Sequence, residues 1–144
     1  MAETVSTAGA LVRLSFLVQS VYAEVSSHYD LTPQQAQLLC ALRDTPLGVT
    51  ELAQMLRLEK NSLSGLVDRV ERRQLVQRNA SPHDRRVVLI STTRAGGQVV
   101  EDFAREATQR LLDVVGPLSV EERALFEELA TRIVVAEEVP ALFA

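Results

Sequence analysis

Nine of the fifteen Arg and Lys lie between positions 57 and 94: Arg57, Lys60, Arg69, Arg72, Arg73, Arg78, Arg85, Arg86 and Arg94. Only four acids share that window, Glu59, Asp68, Glu71 and Asp84, so it carries a net +5 while the rest of the chain carries −9. Segregation of this kind sets a local positive field on an acidic body. Within the window Lys60, Asn61, Ser62 and Ser64 offer short or flexible polar groups, and His83-Asp84-Arg85-Arg86 gathers donors around one carboxylate. Those types suit anion binding and hydrogen-bond readout. A solvated basic face with no partner would have the same net charge, so the placement of these residues has to decide.

Other chemistries find little support. His28, His83 and Cys40 fall in three separate segments, without the paired spacing a metal site needs. There is no Gly-rich phosphate loop, nucleophile elbow or Ser/His/Asp arrangement, which points away from an enzyme and calls for no cofactor. One cysteine permits no internal disulfide and suits a reducing cytoplasm. Cys40 sits in Leu38-Leu39-Cys40-Ala41-Leu42, where a buried, inert thiol is the expectation and a redox sensor the alternative. The start Met1-Ala2-Glu3 lacks the basic opening of a secretory signal. No apolar run approaches the ~18 to 20 residues of a membrane span. At 144 residues, 47% apolar and 24% charged, the chain reads as one ordinary folded domain.

The elements that must position these residues follow from periodicity. Residues 8 to 29 predict a long helix with Leu11, Leu14, Val18, Val21 and Val25 in one stripe. Val12, Phe16, Leu17 and Tyr22 widen that stripe until more than one side needs burial, which calls for a partner chain. Thr32-Pro33-Gln34-Gln35 opens a second helix with a capping box, and Thr45-Pro46-Leu47-Gly48 breaks the chain. A short helix runs from Thr50, its expected N-cap, through Leu58. Another runs from Lys60 to about Arg73, with Leu63, Leu66, Val67 and Val70 inward and a small polar outer face. Two such helices joined by a tight turn predict a helix-turn-helix. Leu75–Arg78 and Arg86–Thr92 read as strands around a turn-rich tip, so a hairpin wing follows the second helix. A long helix from Thr93 to about Val115 stops at Gly116-Pro117, and Ser119-Val120-Glu121-Glu122 caps the last helix, with its stripe of Leu125, Leu129, Ile133 and Ala136. The fold class is therefore mainly α with a small β-hairpin wing, a winged helix-turn-helix.

Several of these runs carry a resemblance. Leu63-Ser64-Gly65-Leu66-Val67-Asp68-Arg69-Val70-Glu71 followed by Leu75-Val76-Gln77-Arg78 resembles the recognition-helix signature of the MarR family of transcriptional regulators. Asp84-Arg85-Arg86-Val87-Val88-Leu89-Ile90 with Thr93 and Gly96 resembles that family's wing motif, and Thr50-Glu51-Leu52-Ala53 the start of its first helix-turn-helix helix. The chain departs from the pattern at Gln74, where Gly is frequent, and at Gly65, where a larger polar or basic residue is frequent. The resemblance covers the chain nearly end to end. It implies a homodimeric DNA-binding regulator, a repressor, on a pseudo-palindromic operator. Residues 31–96 would form the winged lobe, and 1–30 and 97–144 the dimerisation helices of a single 1–144 domain.

In that setting the polar residues acquire roles. Asn61 would pair with an adenine edge, and Lys60 would read guanine or hold a phosphate, with Ser62 and Ser64 allowing close approach. Arg69, Arg72 and Arg78 suit phosphates. Arg86 resembles the family's minor-groove arginine, Asp84 would orient its guanidinium, Arg85 would face the backbone, and His83 would sit at the tip. The resemblance also implies a small aromatic acid as ligand, for which Arg13, Phe16, Ser20 and His28 are the candidates. Arg13 is the only basic residue before Arg43, and its structural alternative is a pair with an acid of the last helix. The rival functions are a winged-helix protein-interaction module without DNA, a sensor whose DNA role is secondary, and a Cys40-based redox sensor.

Overall fold

The computed structural model describes residues 3–143; Met1 and Ala2 of the expected N-terminal start, and Ala144, lie outside them. Among the described residues nine elements follow one another: α1 (Thr7–His28), α2 (Pro33–Ala41), β1 (Leu47–Gly48), α3 (Val49–Leu56), α4 (Lys60–Arg72), β2 (Val76–Ala80), β3 (Val88–Thr92), α5 (Arg94–Val114) and α6 (Val120–Ala136). The three strands form one antiparallel sheet in the order β1-β3-β2. The architecture is mainly helical with a small winged sheet.

The core lies in the lobe built by α2, α3, α4 and the sheet, closed by α5 and the end of α1. Leu38, Leu39, Leu52, Leu63, Val67, Val70 and Ile90 are sealed from solvent. These are the inward positions that a 3.6-residue repeat demands of short helices. Phe103 of α5 is fully buried and meets Tyr22 edge-on at a centroid distance of 5.1 Å, which joins α5 to α1.

Local chemistry sets the helix starts. Thr32 accepts from the Gln35 amide at 3.2 Å while Gln35 Oε1 accepts from the Thr32 amide at 3.1 Å. The same reciprocal box at Ser119 and Glu122 opens α6. The start of α3 differs from expectation. Its N-cap is Gly48, with no side-chain cap, and Thr50 is an exposed first-turn residue. The cause lies in the sheet: Leu47 and Gly48 pair with Ile90 and Leu89, so the chain passes straight from a strand into the helix. That third strand replaces the simple break expected at Thr45–Gly48. The hairpin also extends further than expected at one end. Asn79 and Ala80 pair with Leu89 and Val88, so β2 reaches Ala80 and Arg86 falls in the tip rather than in a strand.

The two chain ends contrast with the lobe. Residues 11–20 of α1 are all exposed, with Phe16 67% accessible, and α6 buries no residue. Helix α1, at 22 residues, is also long and apolar enough to cross a membrane by length and composition alone. The sequence expectation missed this because Arg13 and Glu24 interrupt the run, although the flanking Ala, Val and Leu keep its average high.

Candidate nucleic-acid interface

The turn between α3 and α4 is held by Arg57, whose φ of 54° is left-handed. It delivers Lys60, Asn61 and Ser62 exposed at the first turn of α4. Ser64 is half-buried, and its carbonyl accepts from Arg78 Nη2 at 3.4 Å. A Cβ built at Gly65 would meet only the Arg69 guanidinium, at 3.7 Å, so the helix surface there is open and a larger residue would fit.

The end of α4 is fixed by a Schellman motif. The Gln74 amide donates to the Glu71 carbonyl at 2.8 Å and the Leu75 amide to the Val70 carbonyl at 3.2 Å. Gln74 accordingly adopts φ 60°, the position where glycine carries no penalty. The helix does not fray, because Thr93 clamps it: the Thr93 hydroxyl donates to the Gln74 carbonyl at 2.6 Å and its amide to the Leu75 carbonyl at 3.0 Å. Gly96 lies so close that a Cβ there would collide with the Leu75 carbonyl. The Thr-x-x-Gly run therefore pins the start of α5 to the end of the recognition helix, with the Thr93 hydroxyl also accepting from the Gly96 amide.

Two arginines of the basic window are occupied internally. Arg78 of β2 donates from Nη1 to Glu71 Oε1 and from Nη2 to Asp68 Oδ1, both at 2.7 Å, and Glu71 also accepts its backbone amide at 3.2 Å. Its side chain is 28% exposed. Its geometry ties the wing strand to α4 and neutralises two of the four local acids, whereas the sequence reading grouped it with the phosphate contacts. Arg73 donates to the carbonyls of Asp30 and Tyr29 and to Gln35 Oε1, strapping the end of α4 to the α1–α2 turn. The sequence reading gave Arg73 no task. The only signal available was Gln35, marked for its capping role, which presents the same oxygen to both groups. Arg69 and Arg72 stand exposed on α4.

At the wing tip the Ser81 amide donates to the Val87 carbonyl at 2.7 Å and the Val87 amide to the Asp84 carbonyl at 3.0 Å. Asp84 Oδ1 accepts the Arg86 backbone amide at 3.0 Å, and Arg86 Nε stands 3.5 Å from the same oxygen. Asp84 thus shapes the backbone first and holds the guanidinium only loosely, which corrects the expectation of a firmly oriented side chain. Arg86 is 93% exposed at its side chain, and His83 and Arg85 are exposed beside it. The contrast with Arg78 follows from position, since a tip residue has no neighbouring helix to supply acceptors.

The residues singled out for a ligand are not gathered into one cavity. Arg13 pairs with Glu3 at 2.6 Å, an acid of the N-terminal segment and not of the last helix. Phe16 is exposed, and the Ser20 hydroxyl donates to the Phe16 carbonyl at 2.9 Å. His28, two turns further along α1, contacts Glu106 of α5 at 3.0 Å. Cys40 is buried, accepts from the Tyr22 hydroxyl at 3.7 Å, and has its pKa raised by desolvation. That environment stabilises the protonated thiol and opposes thiolate reactivity.

A helix-turn-helix with an exposed polar first turn, flanked by a basic hairpin, defines a winged helix-turn-helix DNA-binding transcriptional regulator. The family model described as MarR family matches residues 29–87, which hold α2 to α4, β2 and the tip up to the start of β3. The transcriptional repressor NicR of Pseudomonas putida is 28% identical over 120 residues, covering 83% of this chain and 76% of that protein. The crystal structure of apo MarR from E. coli superposes with a TM-score of 0.80 at 24% identity, covering 92% of this chain and 99% of that one. Bordetella bronchiseptica BpsR, described in a structure of the regulation of its DNA binding by 6-hydroxynicotinic acid, gives 0.74 at 24% identity over 92% of this chain and 96% of that one. Over residues 29–87 the chain is similar to the MarR family.

Proposed function

We infer that this regulator is a cytoplasmic homodimeric repressor that binds a pseudo-palindromic operator and is released by a small-molecule ligand. One juxtaposition carries the reading: Arg78 locks the wing to α4, so the exposed Lys60-Asn61-Ser62 turn and the exposed Arg85-Arg86 tip form one rigid basic surface. A major groove admits the helix, with Asn61 facing adenine, Lys60 facing guanine or phosphate, and Ser62 and Ser64 leaving room for approach. Arg69, Arg72 and Arg85 serve phosphates, and Arg86 enters the adjacent minor groove, where a weakly hydrated guanidinium is favoured. His83 lies beside the backbone.

The exposed apolar faces of α1 and α6 support dimerisation through the two chain ends, 1–30 and 97–144, around the 31–96 lobes. Patches of this extent mark interfaces. The same pairing accounts for the apolar α1 without a membrane. Two-fold symmetry then sets the recognition helices about 34 Å apart, one DNA turn. Relatives named as a repressor and as a regulator under ligand control support the sign and the release. The action is binding, not catalysis. The test is selection of bound sites from random DNA, with sedimentation of the protein alone and in complex. A two-fold symmetric consensus bound by two chains is expected. An asymmetric consensus, or a monomeric protein that still binds tightly, would overturn the dimer reading.

A further inference from the structure

Among the described residues two guanidinium groups cross from the 31–96 lobe to the helices of the chain ends. Arg43, just beyond α2, donates to the Glu101 carboxylate of α5 from Nε at 2.7 Å and from Nη2 at 2.9 Å. Arg73, the C-cap of α4, reaches the turn that follows α1. Its Nη1 donates to the Asp30 carbonyl and, at 3.5 Å, to Gln35 Oε1; its Nη2 donates to the Tyr29 carbonyl at 3.5 Å. Among the described residues no other hydrogen bond joins α4 to α1 or to that turn. The acceptors are themselves fixed. Asp30 is left-handed at φ 54°, and the Leu31 amide returns to the Ser26 carbonyl at 3.0 Å. The Tyr29 hydroxyl donates to the Asp102 carbonyl at 3.2 Å, and its ring meets Phe103 edge-on. The turn is therefore held by α1 and α5, and a cation at the carbonyl end of α1 is favoured by the helix dipole.

We propose that Arg73 is a positioning residue that sets the angle of the winged lobe on the dimerisation helices, and with it the half-site spacing the operator must have. The proposal rests on the homodimer reading and adds to it the residue that fixes the separation of the two reading heads. Arg43 anchors α2, whereas Arg73 is the strap on the recognition helix itself. The lobe moves as one piece, because Leu63, Val67 and Val70 are buried in its core and Arg78 locks α4 to the wing. Helix α4 has 13 residues. A pivot of about 10° at its Arg73 end moves Lys60 by about 3 Å, close to the rise of one base pair. Each added base pair shifts a half-site by about 3.4 Å and turns it by about 35°, which a strapped lobe cannot follow. An exposed arginine in a basic window is otherwise a phosphate contact, as Arg72 is read to be. Arg73 differs because its donors are spent on backbone carbonyls of the protein. Two adjacent carbonyls call for a planar fork, which lysine lacks, so a replacement that keeps the charge separates strap from phosphate contact.

The experiment is anisotropy titration of full-length native, Arg73→Lys and Arg73→Gln protein, each checked by circular dichroism, over a salt series. The DNA is the operator selected by the native protein, with its half-site spacer unchanged and changed by one and two base pairs. Native protein should prefer the selected spacing at least tenfold. Both variants should lower that preference at least threefold while keeping the native salt slope. Arg73→Lys with the native preference, or Arg73→Gln with that preference and a salt slope lower by about one unit, makes Arg73 a phosphate contact and overturns the proposal. An equal loss of affinity at every spacing is a general defect of stability and overturns it too. Native protein indifferent to the spacer removes the homodimer reading and this proposal together, whereas native selectivity kept by both variants removes this proposal alone.

Discussion

Removing the Asp84 carboxylate separates two roles that act in opposite directions on DNA binding. Asp84 Oδ1 accepts the Arg86 amide at 3.0 Å and so fixes the tip backbone, while its charge sits among residues that face phosphate. Ordering one residue's backbone costs roughly 1 to 2 kcal/mol, so freeing the tip in Asp84→Ala should weaken operator binding by about 1 kcal/mol, roughly five-fold. Loss of the negative charge opposes this by favouring the complex, and salt screens that contribution. Asp84→Asn keeps a carbonyl oxygen for the turn and drops the charge. Anisotropy titrations of a labelled operator over a salt series should therefore place Asp84→Asn at or above native affinity. Asp84→Ala should fall below native most clearly at high salt, where the turn penalty stands alone. If the Ala and Asn variants bind identically at every salt concentration, the turn contributes nothing and the reasoning fails.

Arg72→Ala should weaken all sequences alike and lower the salt slope by about one unit, whereas Asn61→Ala should change the selected consensus by ~1 to 3 kcal/mol of discrimination; an unchanged consensus demotes Asn61 to helix surface. Gln74→Gly should raise stability by roughly 0.5 to 1 kcal/mol, because glycine adopts the observed φ of 60° without the penalty of a Cβ. The check is thermal unfolding at fixed protein concentration, with Tm rising by about 2 to 4 °C per kcal/mol. The Arg43 guanidinium beside Glu101 and the Arg110 guanidinium beside Glu24 hold both carboxyls below the ordinary 4.5. Depressed carboxylates stabilise the fold above pH 4.5 and lose that contribution as pH falls through their folded values. Denaturant midpoints of native and Arg43→Gln protein should accordingly differ near neutrality and converge in acid; a constant difference would assign the effect to packing.

Periodicity and capping chemistry were enough to place the helices, because Thr32–Gln35 and Ser119–Glu122 act within four residues and the inward stripe of α4 repeats within one element. The polar first turn of α4 and the basic tip were legible for the same reason, since nothing distant must fold to define them. Strand β1 was not legible: two residues, Leu47 and Gly48, have no pattern of their own and become a strand only when Leu89 and Ile90 arrive. Gln74 shows the same division. Its sequence position marked a departure from glycine, while the Thr93 hydroxyl that clamps its carbonyl belongs to a residue brought back by the turn of the wing. Charge type is written in the chain, but the fate of each charge is not. Arg78 finds Asp68 and Glu71, Arg73 finds backbone carbonyls, Arg13 finds Glu3, and Arg86 stays exposed with only a loose approach to Asp84. A hydrogen bond acts over about 3 Å, so which of several identical guanidinium groups is spent internally and which faces a ligand depends on the acceptors that tertiary packing sets beside it.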